Sequence, residues 1–355
     1  MSNVFGKNIT VSIFGESHGA LVGATLGGIA PGIKINKEYI SEKLTKRRPF
    51  GKISTARREA DEFRIVSGEF NGYTTGAPLT LIIENTDTKS KDYSEFLDTP
   101  RPSHADYTAR IKYQGFQDYR GGGHFSGRVT ASLVAAGAIL QAALEDKGIY
   151  IGTHISTLKG ISDREFSDYR DDIKTLSKKL FPALSDTSEE KMLAHIEKAA
   201  EMGDSVGGVL QSAIIGVPAG LGEPFFDSVE SEISHILFSI PAVKGVSFGC
   251  GFGFSELFGS EANDAYETDG VSVYTKTNNN GGILGGISTG MPIIVNTVIK
   301  PTPSIFKEQD TVSLSKLENT RLSIKGRHDP AIIHRARAVV DAALAIAVYD
   351  LSLSK

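Results

Sequence analysis

Two stretches 188 residues apart carry the same frame, and this likeness constrains the fold more than any other feature of the chain. Gly15-Glu16-Ser17-His18-Gly19-Ala20-Leu21-Val22 continues to Gly28 and Gly32; Gly203-Asp204-Ser205-Val206-Gly207-Gly208-Val209-Leu210 continues to Gly216 and Gly220. In each, an apolar strand (21–29; 209–217) follows a Gly-acid-Ser turn, and an amphipathic helix comes next, over 37–47 in one and 227–239 in the other. A second echo pairs 72–78 with 286–292, leading into the β-rich runs 79–84 and 293–299, and a third pairs 135–139 with 342–346. Three echoes in one order predict an internal duplication. The expectation is a pseudo-symmetric α/β core built from residues 1–150 and 203–355. The charged segment 160–202, helical by pattern over 169–180 and 189–202, reads as an excursion between the halves.

At 355 residues, 40% hydrophobic and 23% charged, the chain has the makings of a large core. A net charge of −4 argues against a nucleic-acid partner. Of fifteen arginines, thirteen fall in 47–128 or 321–337, a concentration suited to a small anion. The single cysteine, Cys250, excludes an internal disulfide and any multi-cysteine metal site, and its apolar neighbours suggest a buried small side chain. No signal peptide is read at the start and no apolar run of spanning length, so a soluble cytoplasmic chain is expected.

Chemistry concentrates in a few loops. Tyr119-Arg120-Gly121-Gly122-Gly123-His124-Phe125-Ser126-Gly127-Arg128 precedes an Ala-rich helix predicted over 129–145. Glycines let backbone approach a ligand, arginines match phosphate or carboxylate, and a helix N-terminus favours anions. His18 stands where the second copy has Val206, so the turn's shape does not demand it; it is a candidate acid or base, against a turn histidine bonded to backbone. Ser17, present in both copies, fits turn geometry better than a nucleophile. Arg101-Pro102-Ser103-His104-Ala105-Asp106 stiffens a loop around a second histidine. Lys325-Gly326-Arg327-His328-Asp329-Pro330, with Arg335 and Arg337 in the next helix, sets a cation beside a carboxylate, although Asp329 could equally cap that helix. Lys300-Pro301-Thr302-Pro303-Ser304 is a rigid turn with hydroxyls and a cation. No dinucleotide or P-loop fingerprint and no metal-ligand spacing is present. These residues point to a phosphorylated, carboxylated substrate handled by general acid–base chemistry.

Taken together, Gly15–Gly19, Arg101–Tyr107, Tyr119–Gly123, Gly281-Gly282-Ile283-Leu284-Gly285-Gly286-Ile287-Ser288 and Gly326–Pro330 resemble the signatures of the chorismate synthase family, in order, over about residues 5–350. The resemblance implies a single α/β (α+β) domain, a β-α-β sandwich of two related halves around a helical core. It implies a carbon–oxygen lyase that converts 5-enolpyruvylshikimate 3-phosphate to chorismate and phosphate by 1,4-anti elimination, the last step of the shikimate pathway. Reduced FMN is required without net redox change, because the C6 proton is not acidic and the cofactor carries the hard step. By position, His18 looks like the proton donor to the departing phosphate, His104 like the group that protonates reduced flavin, and Asp329 like the carboxylate near flavin N5. Ser17, Arg47, Arg48, Arg101, Ser126, Arg128 and Arg327 match substrate-binding positions. His124, Phe125, Ser126, Pro241, Ala242, Gly285, Lys300, Pro301, Thr302, Pro303, Ser304 and Arg327 match flavin-binding ones, and Arg47 an NADP-binding one. A homotetramer is implied as well.

Two departures bear on the source of electrons. His124-Phe125-Ser126 replaces the commoner Arg-Ser-Ser, and the stretch Pro49-Phe50-Gly51-Lys52 is one residue shorter than in many relatives. Both weaken the expectation of built-in NADPH-driven flavin reduction, so FMN reduced by a separate flavin reductase is expected. Two other classes compete: a phosphate-ligand binding module, which would not need His18, His104 and Asp329, and a metal-independent phosphomonoester hydrolase, which would need an absent nucleophile.

Overall fold

The fold follows from two runs of strand that alternate buried and half-buried residues and from two Ala-rich helices that are buried all round. It is described from a computed structural model covering residues 3–54, 60–86, 90–324 and 328–354. The first sheet contains β1 (Val4–Phe5), β2 (Thr10–Gly15), β3 (Leu21–Gly27), β4 (Phe63–Ser67) and β5 (Leu79–Glu84), in the order β1-β2-β3-β5-β4. The second contains β6 (Tyr150–Leu158), β7 (Ile161–Ser162), β8 (Gly208–Ile215), β9 (Val243–Phe248) and β10 (Ile293–Ile299), in the order β9-β10-β8-β6-β7. All neighbours are antiparallel. In β5, Leu79, Leu81 and Ile83 are fully buried, and in β10 Ile293, Val295, Thr297 and Ile299 are, the period of two that puts one face on a core.

Between the sheets lie α1 (Lys37–Arg47), α3 (Thr130–Glu145), α6 (Val229–Ser239) and α7 (Ile333–Leu351); α2 (Asp106–Lys112) sits on a surface loop, and α4 (Tyr169–Lys178) and α5 (Asp186–Glu201) form the excursion. The architecture is the expected α/β sandwich. Where α3 crosses α7, a Cβ on Gly137 would lie 2.6 Å from Ala342 Cβ, so the close approach requires glycine. The helical run 127–145 is long and apolar enough to cross a membrane, contrary to the sequence reading, but 78% of that window is buried inside the protein.

The two sheets share more than the order of four strands, β2-β3-β5-β4 in the first and β6-β8-β10-β9 in the second. Gly32 N donates to Thr74 O (2.8 Å) as Gly220 N donates to Ser288 O (2.9 Å). Ile33 N and Leu221 N donate to the Thr74 and Ser288 hydroxyls, both at 2.9 Å, and those hydroxyls donate onward to Ala30 O and Pro218 O, both at 2.7 Å. Gly28 faces Asn8 O, just before β2, as Gly216 faces Gly148 O, just before β6. By these contacts β6 belongs to the second sheet as β2 belongs to the first. The excursion is inserted between β6 and β8. Buried Arg337 holds that insert by donating to Leu176 O (3.0 Å) and Lys179 O (2.7 Å). Cys250, expected to be buried, is exposed.

Candidate active site

Three helix ends meet at one place. The C-terminus of α1, stopped by Pro49, delivers Arg47 between the N-termini of α3 and α7. Arg47 donates through Nε to Thr130 Oγ1 (3.1 Å) and through Nη2 to Gly127 O (2.8 Å), while its own carbonyl accepts from Arg335 Nε on α7 (2.9 Å). Two helix N-termini with converging arginines make a strongly anion-seeking region. Among the described residues its internal counter-charge is Asp61, a residue that no motif or spacing singles out. The Asp61 side chain is 1% exposed and meets Arg47 Nη1 at 3.1 Å, Arg48 Nε at 3.9 Å, and Arg128 Nη1. It sits at φ 51°, a left-handed conformation that Asp tolerates better than most. Arg128 also donates to Asn85 Oδ1 (2.9 Å) and Glu84 O (3.1 Å).

The triple glycine has a specific steric cause. Gly121, Gly122 and Gly123 have φ of 59°, 83° and 53°, and each faces a different neighbour. A Cβ on Gly121 would lie 2.1 Å from His18 Nδ1, one on Gly122 3.3 Å from His104 Cε1, and one on Gly123 1.9 Å from Asp118 O. Two histidines from separate loops are thus mounted on adjacent glycines of one loop. The His18 ring also meets Tyr93 edge-on (centroids 5.1 Å apart), and its turn is docked by Ser17 N donating to Gly123 O (3.0 Å). In the second frame Val206, which stands where the first has His18, donates its N to Pro330 O (2.8 Å).

Other expected site residues are placed as follows. His124 Nδ1 lies 2.8 Å from Gly15 O, a backbone tie rather than a group turned to a ligand. Ser126 Oγ accepts from Arg128 N (3.3 Å), and the Phe125 ring lies against Tyr113. Arg120 pairs with Asp118 at 2.8 Å, and that hydrogen bond holds the Asp118 carboxyl below its ordinary range. Arg101, expected on the substrate, is engaged with Asp106 (2.8 and 2.7 Å) and lies over the Phe96 ring. Lys300 Nζ donates to Ser103 O (2.6 Å), bringing the turn Lys300, Pro301, Thr302, Pro303, Ser304 of the second half against the His104 loop. Ala242, at φ 76° after Pro241, accepts from Lys300 N (2.9 Å), so these flavin-type positions are neighbours. Gly285 stands in the tight hairpin between Ile283–Leu284 and Ile287–Ser288.

Asp329 does not cap α7, which has no side-chain cap; it accepts from Arg335 Nη1 (2.8 Å). Arg337, two residues on, points away to the excursion. Burial pushes the His328 imidazole below its ordinary value. Arg327, with Lys325 and Gly326, lies outside the described residues. Ser17 Oγ, Gln117 Oε1, Thr302 Oγ1 and His328 Nε2 are buried without a hydrogen-bond partner among the described residues. Such atoms carry a desolvation penalty that a polar ligand relieves. Among the described residues no group of three or more His, Cys, Asp or Glu is arranged to hold a metal ion.

Fold and site define a class: an α/β sandwich in which two histidines on a glycine-rich loop lie in the same chain as arginines gathered at two helix N-termini. The family model for chorismate synthase matches residues 9–353. A chorismate synthase of Pyrococcus abyssi (strain GE5 / Orsay) is 44% identical over 345 residues, covering 97% of this chain and 96% of that protein. One of Dehalococcoides mccartyi (strain ATCC BAA-2100 / JCM 16839 / KCTC 5957 / BAV1) is 45% identical over 354 residues, covering 99% and 97%. A crystal structure of chorismate synthase superposes with a TM-score of 0.77 at 27% identity, covering 98% of this chain and 92% of that one. The chain belongs to the chorismate synthase family.

Proposed function

We propose that this protein is a carbon–oxygen lyase that eliminates phosphate from 5-enolpyruvylshikimate 3-phosphate to give chorismate, with reduced FMN and no net redox change. The observation that carries the reading is the pair of histidines on Gly121 and Gly122, beside arginines gathered at two helix N-termini. A binding module would need the arginines alone.

The residues fit a flavin. Thr302 brings a buried, unbonded hydroxyl beside Lys300, and the glycine loop keeps open backbone next to His104. Lys300 to Ser304, Pro241, Ala242 and Ser126 would hold it, and reduced FMN would lend the electron that breaks the allylic C–O bond and would recover it as the C6 hydrogen leaves. The chain's residues manage protons and charge. His18 gives a proton to the departing phosphate, which Arg48, Arg128 and Arg327 hold, and Ser17 offers its hydroxyl. His104 donates a proton toward the flavin. Asp329, oriented by Arg335, takes up the proton from C6. Arg101 is assigned to the His104 loop rather than to the substrate. FMN arrives already reduced by a separate flavin reductase; the homotetramer and the cytoplasmic setting rest on the family likeness.

The test is phosphate release under anaerobic conditions with prereduced FMN. His18→Ala and His104→Ala should each lower turnover about 10²–10⁴-fold, the usual worth of a general acid. Near-normal turnover in either variant removes that histidine from the mechanism.

A further inference from the structure

Arg101 and Asp106 are bound up with His104 in a way that determines which ring nitrogen faces the site. Asp106 Oδ1 lies 2.7 Å from His104 Nδ1 and accepts from Arg101 Nη2 at 2.7 Å. Asp106 Oδ2 accepts from Arg101 N (3.0 Å) and Nε (2.8 Å). Burial alone would raise the Asp106 carboxyl, but the hydrogen bonds from Arg101 and His104 outweigh it, and the group is held well below the ordinary carboxylate range. Asp106 is therefore an ionised acceptor with no proton to give.

His104 Nδ1 thus faces two groups of opposite demand. The carboxylate can only accept; Arg101 Nη2, 3.1 Å away, can only donate. The carboxylate is nearer (2.7 against 3.1 Å) and Arg101 Nη2 already donates to Asp106 Oδ1, so Nδ1 bears the proton and donates to Asp106. Nε2 is left on the other side of the ring, 3.4 Å from where a Cβ on Gly122 would stand. The loop is fixed from several directions: Ser103 at φ 58° with its carbonyl bonded to Lys300, Arg101 over Phe96, and His104 N donating to Arg101 O (3.3 Å).

We propose that Asp106, seconded by Arg101, is a positioning residue that locks His104 in the Nδ1-protonated tautomer, so that Nε2 is the atom exchanging a proton with the bound flavin. This rests on the flavin role given to His104 above. When the imidazolium transfers its Nε2 proton to the flavin, the Nδ1–H···Asp106 bond remains, and the ring is left neutral in a single tautomer, ready to be reprotonated at the same atom.

Asp106→Asn is nearly isosteric and reverses the demand. Arg101 N and Nε both donate at the Oδ2 position and draw the amide oxygen there, so the amide NH₂ takes the Oδ1 position, faces His104 Nδ1 and drives its proton to Nε2. Long-range ¹H–¹⁵N correlation spectra of His104 in the full-length enzyme read this directly. The wild type should show a protonated Nδ1, Asp106→Asn a protonated Nε2, and Asp106→Glu should restore the wild-type pattern at least partly. With prereduced FMN, kcat of Asp106→Asn should fall about 10²-fold or more, while FMN affinity stays within about threefold. A wild-type spectrum with the proton on Nε2 overturns the proposal, whether or not the variants fold. An Asp106→Asn enzyme with wild-type kcat overturns it too, provided His104→Ala is impaired. If His104→Ala is itself unimpaired, the flavin role of His104 has failed, and the tautomer spectrum still decides whether Asp106 positions the ring.

Discussion

Replacing Gly121 by alanine tests the mounting of His18 in isolation. The substitution has two separable effects. Alanine at φ 59° occupies a left-handed conformation, which lowers stability by about 1–2 kcal/mol. Its Cβ would also stand 2.1 Å from His18 Nδ1, where ordinary contact begins near 3.4 Å, so the ring or the loop must retreat by about 1.3 Å. Displacing a reacting group by about 1 Å can lower a rate about 10²-fold, equivalent to about 2.7 kcal/mol of transition-state stabilisation. Gly160 serves as the control: it has φ 86° and nothing within 4 Å of an added methyl, so Gly160→Ala incurs the backbone strain alone. Urea unfolding and anaerobic phosphate release, measured on both variants, separate the effects. Gly121→Ala should lose at least as much stability as Gly160→Ala, the excess coming from the clash, and only Gly121→Ala should lose turnover. Equal, near-normal turnover in the two would refute the reasoning that glycine is needed there to make room for His18.

Asp61→Asn should lower stability by about 3–5 kcal/mol in urea unfolding, because it leaves the buried Arg47 and Arg128 without their shared counter-charge; a loss under about 1 kcal/mol would show the cluster is not an energetic unit. His334 is driven down to about 3 by burial and by Arg335 and Arg337, so the unfolded chain binds its proton first. Stability from this residue is full above about pH 6.5 and is lost as pH falls toward 3, by up to about 1.4 kcal/mol per pH unit, and His334→Gln should flatten that slope in urea titrations at successive pH values. Oxidised FMN with NADPH should support little turnover beside prereduced FMN, because Arg47, the candidate nicotinamide-nucleotide anchor, is engaged with Asp61, Thr130 and backbone carbonyls; comparable rates would mean the enzyme reduces its own flavin.

Elements governed by local periodicity are legible in the sequence. The helix at 37–47 and the strands at 79–84 and 293–299 fall on the residues expected. The paired glycines at 28 and 216, 32 and 220, and 76 and 290 all have positive φ, and backbone demand of that kind leaves a trace in sequence. What depends on distant partners does not show. β6 carries polar residues such as Thr153 and His154 at buried positions, satisfied by Asp341 and Asp163, so no clean alternation marks it as a sheet strand. Asp61 is one charge among many in the sequence, and only the fold gathers three arginines around it. Arg101 and Arg128 stand out as site arginines, but their carboxylate partners, which decide what they hold in place, lie 5 and 67 residues away. The opposite fates of Arg335 and Arg337 are open to inference, since residues two apart on a helix face different sides.

The most direct measurement supplies purified protein, under anaerobic conditions, with 5-enolpyruvylshikimate 3-phosphate and a small amount of photoreduced FMN, and counts phosphate and chorismate against reducing equivalents. The account predicts equal amounts of phosphate and chorismate, many turnovers per reduced flavin, and no activity when the flavin stays oxidised. Phosphate released without chorismate, product limited to one per reducing equivalent, or turnover independent of reduced flavin would contradict it.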